Sequence, residues 1–387
     1  MRKAMSRIML AVSAGEWEGI QHRPHHFMRR SSKSGWTVLY LEPPATLISP
    51  LKNSKMLTRW KNWRQGLREV EPNIYLLAPP PILPFANKYR RINKINQWLI
   101  SRTVKKSLRS LKTSAVDVYS FLPSAIDLLP FIKADKVIYD CVDDHSSFSG
   151  LINKEVVLQM EQELAQRAQV NFATARQLIS ERQAWSPSFY LIPNGAEFEH
   201  FASVDDQTPI PEELVQIPRP IAGFIGGISD WIDLDLLAKV AQALPEVSFV
   251  FIGPVATNVD NLRQLPNVFL LGARPYKQLP VYLREFATCL IPFKINKLTE
   301  AVNPIKMYEY LAAGKPVVST PLSEVLAYRE VVEIAASAPE MVSVLQKTLS
   351  VSANDEEARR KRQSVGKANS WDARWQTAVE YIQQEAK

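Results

Sequence analysis

The sequence predicts an α/β protein with two doubly wound, mainly parallel sheets. Short apolar segments alternate with helical stretches along almost all of the 387 residues, and this alternation is typical of strand–helix–strand units. Several segments are continuous apolar runs, as expected for parallel strands that are covered on both faces. The alternation pauses once near the middle of the chain, which predicts two domains.

Thirteen segments are predicted as strands. The first half contains RIMLAV, TVLYLEP, NIYLLA, DVYSFLP, KVIYDCV, VNFAT and FYLIPNG. The second half contains IAGFIGG, VSFVFIGP, VFLLG, TCLIPF, PVVST and VVEIAA. The basic start before the first run is similar to a signal peptide, but Ile8 to Val12 is short for an apolar core of one. A first buried strand is the favoured interpretation, and no stretch reaches the length of a membrane span.

The pause lies at ASVDDQTPIPEELVQIPRP, residues 202–220, which is rich in Pro and acidic residues and is predicted as a linker. It separates a Rossmann-like domain at 1–201 from a second one at 221–368. Residues 369–387 are predicted as a C-terminal helix, with Ser370 as its cap. Ligands of open α/β sheets bind beyond the carboxyl ends of the strands, so the two domains are expected to face each other across a cleft.

Charge is distributed unevenly along the chain. Residues 1–113 contain 22 Lys and Arg but five Asp and Glu, whereas the whole chain carries a net charge of +8. A basic front half is expected to meet an anionic partner. Two basic segments are amphipathic and either lie on an anionic membrane surface or cover their own sheet: LKNSKMLTRWKNWRQGLR and KYRRINKINQWLISRTVKKSLRSLK.

The two cysteines, Cys141 and Cys289, lie in apolar runs and are expected to be reduced, which favours a cytosolic location.

Gly226 and Gly227 end the strand PIAGFIGG, and ISDWIDLDLLAKVAQAL after them is predicted as a helix. Glycines at such a turn allow backbone N–H groups to approach a phosphate near a helix N-terminus. A tight turn without a ligand is the alternative. The complete dinucleotide fingerprint and the Walker pattern are absent from the sequence, which disfavours NAD enzymes and P-loop NTPases.

The strand KVIYDCV runs into Asp143, Asp144 and His145, at the strand edge where chemistry is expected. An Asp whose pKa is raised in a closed cleft could deprotonate a hydroxyl, whereas the alternative is that both acids cap the next helix. In HRPHH, Arg23 and His26 are candidate acceptor-side residues. Arg23 could hold a phosphate or a sugar acid, or Arg23 and Pro24 could simply start a helix. The histidines do not have the spacing of a metal site.

The chain resembles the GT-B-fold glycosyltransferases of the family-4-like type, which include enzymes of teichuronic acid and exopolysaccharide synthesis. The resemblance rests on GFIGGISDWIDLDLL, FIGP, FLLG and NPIKMYEYLAAGKPVVST in the second half. NGAEFEHF, QHRPHHFMRR and YDCVDD extend it to the first half. It covers nearly the whole chain and implies a metal-independent, hexosyltransferase-like enzyme whose last helix packs back toward the first domain.

The resemblance implies roles for the acid and the base in NPIKMYEYLAAGKPVVST. Glu309 is expected to accept hydrogen bonds from the donor ribose, and Lys306, one turn away, to neutralise the diphosphate. An i,i+3 ion pair is the alternative. The family's second Glu is replaced by Ala301, and Asn303, further in, is a candidate donor-binding residue. The family's basic residues after the glycine pair are missing. Arg274 is therefore a second candidate for the phosphates, and the choice between retention and inversion stays open.

These features predict transfer of a sugar from a nucleoside-diphosphate sugar to a hydroxyl of a lipid-linked or polysaccharide acceptor, without a cofactor. The expected location is the cytoplasmic face of the cell membrane, held peripherally, and no nucleic acid partner is expected. Two alternatives share the architecture: a nucleotide-sugar 2-epimerase and a non-catalytic nucleotide-sugar-binding scaffold. The sequence leaves the donor sugar, the nucleotide base, the acceptor and the oligomeric state open.

Overall fold

The computed structural model describes residues 7–52, 56–113, 115–148, 150, 152–203, 207–351 and 355–384. The chain forms two compact units. The first unit contains the described residues up to Ile192 and those from Trp375 onward, and the second runs from Pro193 to Arg374.

The first unit is built on one sheet with helices on its faces. Its strands are β1 (Arg7–Val12), β2 (Thr37–Leu41), β3 (Arg68–Glu71), β4 (Ile74–Leu77), β5 (Ala115–Ser120), β6 (Lys136–Cys141), β7 (Val170–Ala173) and β8 (Phe189–Leu191). Its helices are α1 (Arg23–Lys33), α2 (Ser49–Lys52), α3 (Leu57–Gln65), α4 (Arg90–Ser110), α5 (Lys154–Arg167) and α6 (Arg176–Arg182). Short 3₁₀ helices lie at Pro123–Asp127, Leu129–Phe131 and His145–Ser147.

The strand order of this sheet is β3-β4-β2-β1-β5-β6-β7-β8, and only β3 is antiparallel to its neighbour among the described strands. The central strands are buried on both faces because helices cover them, which explains their continuous apolar sequences. The carboxyl ends of β1, β2, β5 and β6 therefore meet along one edge of the sheet. Asp143 follows β6 at this edge.

The second unit repeats the architecture with a smaller sheet. Its strands are β9 (Ile221–Ile225), β10 (Ser248–Ile252), β11 (Val268–Gly272), β12 (Thr288–Ile291), β13 (Val317–Ser319) and β14 (Glu333–Ile334). Its helices are α7 (Phe198–Ala202), α8 (Glu212–Val215), α9 (Leu234–Ala243), α10 (Asp260–Arg263), α11 (Leu279–Glu285), α12 (Lys297–Glu300), α13 (Ile305–Ala312), α14 (Ala338–Val351) and α15 (Glu356–Ala368). Helix α16 (Trp371–Gln384) follows, and 3₁₀ turns lie at Tyr276–Gln278 and Leu326–Tyr328.

The second sheet is wholly parallel in its described strands, with the order β11-β10-β9-β12-β13-β14. The chain reverses direction across the sheet between β9 and β12, and such a switch point is where open α/β sheets bind their ligands. The strand β9 packs tightly at this place: a Cβ added at Gly223 would lie 2.1 Å from the Phe286 ring. The prediction of two doubly wound, Rossmann-like sheets is confirmed.

Every predicted strand is present, whereas β3 was not predicted. The prediction of a helix directly after Gly227 is wrong, since α9 begins at Leu234. Ile228 and Ile232 are buried and form single β-bridges with Val255 and Phe293. This segment therefore pairs with neighbouring loops at the edge of the sheet and does not form a helix. Asp233 then caps α9 by accepting a hydrogen bond from the Leu236 N–H.

Helix α3 covers only part of the basic segment at 51–68. Its residues 53–55 lie outside the described part of the chain, α3 ends at Gln65, and Leu67 follows the helix. No residue of α3 is buried, and Trp63 is 37% exposed. Helix α4, in contrast, buries one face against the first unit.

The last helix packs on the first unit, as the resemblance implied. Trp375, Ala378 and Ile382 are buried at helical spacing, and the Trp375 ring lies edge-on to Phe27 with centroids 5.4 Å apart.

The N-terminal part of the first unit ends at Ile192, so residues 193–201 and the described part of 202–220 belong with the second unit. Both cysteines are buried and unbridged. No described helix combines the length and apolarity needed to cross a membrane.

Candidate active site

The turn after β9 is shaped by close backbone packing. The Gly226 N–H donates to the Ile252 carbonyl at 2.8 Å, which joins the ends of β9 and β10. A Cβ at Gly253 would lie 1.8 Å from the Gly226 carbonyl oxygen, and Gly253 has φ +154°. Only glycine allows this approach. The turn itself is therefore held in place by its neighbour strand.

The space beside Gly227 is open. A Cβ placed there would meet no atom within 4 Å, and the Gly227 N–H donates to no residue in the described part of the chain. A free backbone N–H at a sheet switch point can receive a phosphate oxygen. The helix N-terminus predicted beside it is absent, because α9 starts seven residues later.

Lys306 and Glu309 lie at this turn. The Lys306 Cε would lie 3.5 Å from a Cβ on Gly226, and the Lys306 Nζ donates to Glu309 Oε2 at 2.8 Å. Helix α13 is tied to β9 because the Ile225 N–H donates to the Tyr310 hydroxyl at 2.9 Å. The ion pair anticipated as an alternative is present, but an ammonium has three donors, so the pair can also bind a ligand. The Lys306 side chain is 24% exposed.

Asn303 was predicted to contact the donor, and the structure does not support that role. It is buried, and its Oδ1 accepts from the Asn194 N–H at 2.9 Å. Its Nδ2 donates to the Tyr308 hydroxyl at 3.1 Å. Both polar ends of the side chain are therefore used to anchor the NGAEFEHF segment within the second unit.

Arg274 also has an internal partner. Its Nε donates to Glu213 Oε1 at 2.8 Å and to the Tyr282 hydroxyl at 3.0 Å. Hydrogen bonds from Tyr282 and Arg274 hold the pKa of Glu213 at about 2. Arg274 follows β11, the edge strand of the sheet, whereas the Lys306–Glu309 pair adjoins β9. The geometry favours a surface ion pair over phosphate binding by Arg274.

In the first unit, Asp143 stands out at the end of β6. It is half-buried, and no described residue donates a hydrogen bond to its carboxylate. Burial, with a smaller contribution from the Asp144 charge, raises the pKa of Asp143 to about 7. A carboxyl with this pKa can accept a proton at neutral pH.

Asp144 has a different role, because its carboxylate is fully engaged. It caps the His145–Ser147 turn by accepting from the Ser146 N–H at 3.2 Å and from the Ser147 hydroxyl. The buried Arg182 donates to it at 3.0 Å. These bonds outweigh burial and lower the pKa of Asp144. The capping alternative therefore holds for Asp144. Its carboxylate fixes the loop, and the structure does not support the predicted catalytic role.

His145 is buried behind these acids. Its Nε2 lies 3.1 Å from the Phe121 carbonyl oxygen, so this nitrogen carries the proton. Burial lowers the pKa of His145, and the ring is therefore neutral. His145 lines a cavity of about 330 Å³ at the carboxyl edge of the first sheet.

Arg23 and His26, predicted to contact the acceptor, are each 2% exposed. The Arg23 guanidinium donates to Asp140 Oδ2 and to the Ile192 carbonyl, both at 2.8 Å, and lies over the Phe27 ring. These contacts place Arg23 in the core of the first unit, so it cannot present its charge to an acceptor. Pro24 is at the first turn of α1, as the helix-start alternative stated.

Three buried polar residues near this edge escaped the sequence analysis: Arg182, Glu161 and Glu42. Arg182 Nε donates to Glu161 Oε1 at 2.6 Å, and nothing in the local sequence of α6 signals this pair. Glu42 does carry a signal, because it directly follows the buried strand β2 just as Asp143 follows β6. In the described part of the chain, no cluster of three or more His, Cys, Asp and Glu side chains could hold a metal ion.

Comparison with known proteins agrees with this architecture. Residues 219–350 match the family model of glycosyl transferases group 1. The chain is 29% identical over 266 residues to the teichuronic acid biosynthesis glycosyltransferase TuaH of Bacillus subtilis (strain 168), an alignment that covers 64% of this chain and 66% of that protein. The match therefore spans slightly less than two thirds of the relative's length.

Solved structures are similar over the full chain. The sucrose-phosphate synthase of Thermosynechococcus elongatus superposes with a TM-score of 0.75 at 14% identity, covering 98% of both chains. HepE of Anabaena, in complex with UDP, superposes with a TM-score of 0.66 at 14% identity, covering 98% of this chain and 100% of HepE. At these identities the likeness concerns the fold.

The two mainly parallel sheets, shared with these structures, define the fold as GT-B. Residues 219–350 match the glycosyl transferases group 1 family, and the chain is similar to TuaH over part of its length.

Proposed function

We propose that the protein transfers a sugar from a nucleoside-diphosphate sugar to a hydroxyl of a lipid-linked or polysaccharide acceptor during bacterial cell-surface polysaccharide synthesis. One observation carries the proposal. In a group 1 domain, a lysine and a buried carboxylate lie beside an open glycine turn at the sheet switch point. TuaH, a relative named for teichuronic acid biosynthesis, supports the polysaccharide assignment.

Each donor-side residue has a proposed part. The Gly227 N–H and the Lys306 ammonium bind the diphosphate, so that negative charge developing on the leaving group is stabilised where it forms. Glu309 is 3% exposed, and its carboxylate accepts hydrogen bonds from the ribose hydroxyls. The donor is a substrate, and the proposed reaction requires no cofactor or divalent metal. The complex of HepE with UDP makes UDP the first nucleotide to test.

On the acceptor side, Asp143 is the proposed general base. Its pKa is raised to about 7, so its ionised carboxylate can take up the proton that an acceptor hydroxyl must lose. Asp144 and Arg182 hold the loop that carries it. We further propose that the enzyme acts at the cytoplasmic face of the membrane, held there peripherally by the basic first unit. Neither the family match nor the relatives' names favour an epimerase or a non-catalytic scaffold.

Release of nucleoside diphosphate from a panel of nucleotide sugars, with membrane lipid extract as acceptor source, tests this function. Lys306→Ala and Glu309→Ala are expected to lower the rate by at least about tenfold, because each removes a charged hydrogen-bond partner of the donor. Lys347→Ala is the matched control, since Lys347 is 71% exposed in the same unit. Unchanged release in both variants would contradict the proposed donor site.

A further inference from the structure

The cavity beside His145 lies within the first unit, at the edge where β1, β2, β5 and β6 end. Its volume is about 330 Å³, at the lower end of the range for small-ligand pockets. Apolar side chains make up much of the wall, including Ile82, Leu83 and Ile100. These surfaces suit the C–H faces of a ring.

Two buried polar side chains of the cavity, Glu42 and Gln97, each have a side-chain oxygen to which no described residue donates. Glu42 is 6% exposed and lines the cavity. Its Oε1 accepts from the Trp17 N–H at 3.1 Å, and no described residue donates to its Oε2. Gln97, 7% exposed, also lines the cavity, and its buried Oε1 has no partner in the described structure. Both oxygens can therefore receive hydrogen bonds from the hydroxyls of a ligand.

The orientation of the Gln97 amide is fixed by its neighbour. Its Nε2 donates to Asn93 Oδ1 at 3.4 Å, and the Asn93 amide nitrogen donates to Asp127 Oδ2 at 2.7 Å. Because Asn93 Oδ1 must accept, the unpartnered atom of Gln97 is its oxygen. A buried acceptor without a donor is costly, and a bound hydroxyl would remove that cost.

Positive charge is missing from the lining. None of the described residues that line the cavity is Lys or Arg, and His145 is neutral. Arg68 lies outside the lining near Glu42, but it is paired with Glu18 at 3.9 Å. Burial raises the pKa of Glu42, which shows how poorly this place solvates a negative charge. A second carboxylate beside Glu42 would be both desolvated and repelled.

We propose that this cavity binds the uncharged sugar ring of the acceptor, that Glu42 and Gln97 accept hydrogen bonds from its hydroxyls, and that Glu42 excludes sugar acids. The proposal rests on the proposed function, because it names the acceptor class of that reaction. Glu42 thereby becomes a specificity-determining residue. The apolar wall packs against the ring, and the two acceptor oxygens fix its orientation.

Binding of methyl glycosides to the full-length protein, measured by saturation-transfer NMR titration, tests the proposal. The probes are methyl glucoside and methyl galactoside against the corresponding methyl uronides. They carry no alkyl chain, so binding reports the ring. We expect the neutral member of each pair to bind at least about tenfold more tightly, equivalent to about 1.4 kcal/mol.

Three variants test whether the cavity and Glu42 are responsible for the preference for neutral rings. Glu42→Gln keeps an oxygen for the Trp17 N–H but removes the charge, and it is expected to reduce the preference for the neutral ring to less than about threefold. Leu83→Trp fills the cavity and is expected to abolish glycoside binding. Glu155→Gln, at an exposed site on α5, is the matched control and should leave the preference unchanged.

Equal or tighter binding of the uronides to the wild type would overturn the proposal, as would an unchanged preference in Glu42→Gln. Failure of every methyl glycoside to bind would also overturn it. UDP binding, titrated separately, reports on the second unit. UDP binding without glycoside binding would refute this inference and leave the proposed function standing. Glycoside binding without binding of any nucleoside diphosphate would instead count against the proposed function.

Discussion

Asp143 and Asp144 are adjacent in sequence, but their surroundings separate them chemically. Arg182 and two serines donate to Asp144, which lowers its pKa. Asp143 receives no such bonds in the described structure, and burial raises its pKa to about 7. One carboxylate is thus fixed in its ionised form, and the other is poised near neutrality. This division is common where adjacent acids serve structure and catalysis.

The pH dependence of transfer is the first prediction at this scale. If Asp143 is the base, kcat/KM should fall about tenfold per pH unit below about pH 7, because only the ionised form accepts a proton. Asp143→Asn should reduce kcat by about 10²–10⁴-fold and abolish this limb of the profile. A wild-type profile that is flat from pH 5 to pH 8 would exclude Asp143 from the proton transfer.

Asp143→Asn should lower the rate of transfer, but it should raise the stability of the protein above about pH 7. Because the folded-state pKa of Asp143 is raised, the native state holds its proton between about pH 4 and pH 7 while the unfolded chain has lost it. The resulting destabilisation grows across this window and is complete above pH 7. Asp143→Asn should therefore raise Tm at pH 8 and change it little at pH 4. A lower Tm at pH 8 would contradict the burial argument.

Individual residue roles were only partly predictable from the sequence. Asp143 and Glu309 could be proposed as candidates because an acid after a buried strand, or within an apolar helix, is unexpected. Arg23 and Asn303 were misassigned because burial and internal partners such as Asp140 and Asn194 come from distant parts of the chain. Glu42 was missed although it follows β2 in the same way that Asp143 follows β6.

At the scale of secondary-structure elements, Arg182 connects α6 to α5 and to the loop after β6. It donates to Glu161 at 2.6 Å and to Asp144 at 3.0 Å, and it is 1% exposed. Removing one partner of such a buried pair leaves a charge without compensation. The arrangement makes the loop position of Asp143 depend on a helix that has no contact with the reacting groups.

Arg182→Met is predicted to lower the free energy of unfolding by about 3–5 kcal/mol, because Glu161 and Asp144 lose their buried cation. Chemical denaturation of the purified protein measures this. The double variant Arg182→Met, Glu161→Leu should recover part of the loss, since it removes a second buried charge. Arg167→Met, at an exposed site on α5, is the control. A loss below about 1 kcal/mol would contradict the assignment.

The glycine turn provides a second prediction for the elements. Gly253→Ala should strongly destabilise the protein or prevent folding, because its Cβ would collide with the Gly226 carbonyl. Gly227→Ala should leave Tm nearly unchanged, because its Cβ enters open space, yet it should weaken UDP binding. Thermal denaturation with and without UDP measures both effects. Equal destabilisation by the two substitutions would support the alternative interpretation, a tight turn that binds no ligand.

Strands were easier to predict than helix ends. Buried parallel strands have continuous apolar sequences, so β1 was predicted with its observed limits. The half-buried edge strand β11 was also predicted with its observed limits, because its sequence VFLLG is apolar throughout. Edge strand β3, with the sequence REVE, carries three charges and gives no apolar signal. The start of α9 was placed too early because Ile228 and Ile232 fit helical spacing, while their bridges to Val255 and Phe293 depend on the folded sheet.

For the whole molecule, the fold class followed from the alternation of elements, and the charge asymmetry suggests a partner. The basic residues are concentrated before position 114. Helix α3 buries none of its side chains and exposes Leu57 and Trp63. A basic helix with exposed apolar side chains is suited to the surface of an anionic membrane.

Sedimentation with vesicles tests the membrane interaction. The protein should bind vesicles that contain anionic lipid and detach in about 0.5 M salt, because screening shortens the range of the attraction. Lys61→Glu with Arg64→Glu should weaken binding by at least about 30-fold, given about 1 kcal/mol per basic residue at the surface. Lys347→Glu serves as control. Equal binding to neutral vesicles would contradict an electrostatic surface.

The central claim is that Lys306 and Glu309 bind an activated sugar's nucleotide beside the glycine turn, and calorimetric titration with UDP tests it most directly. The wild type should bind UDP, and Lys306→Ala should weaken binding by about 10- to 100-fold, the effect of losing one charged hydrogen-bond donor. Lys347→Ala should bind like the wild type. Unaltered affinity in Lys306→Ala would contradict the account.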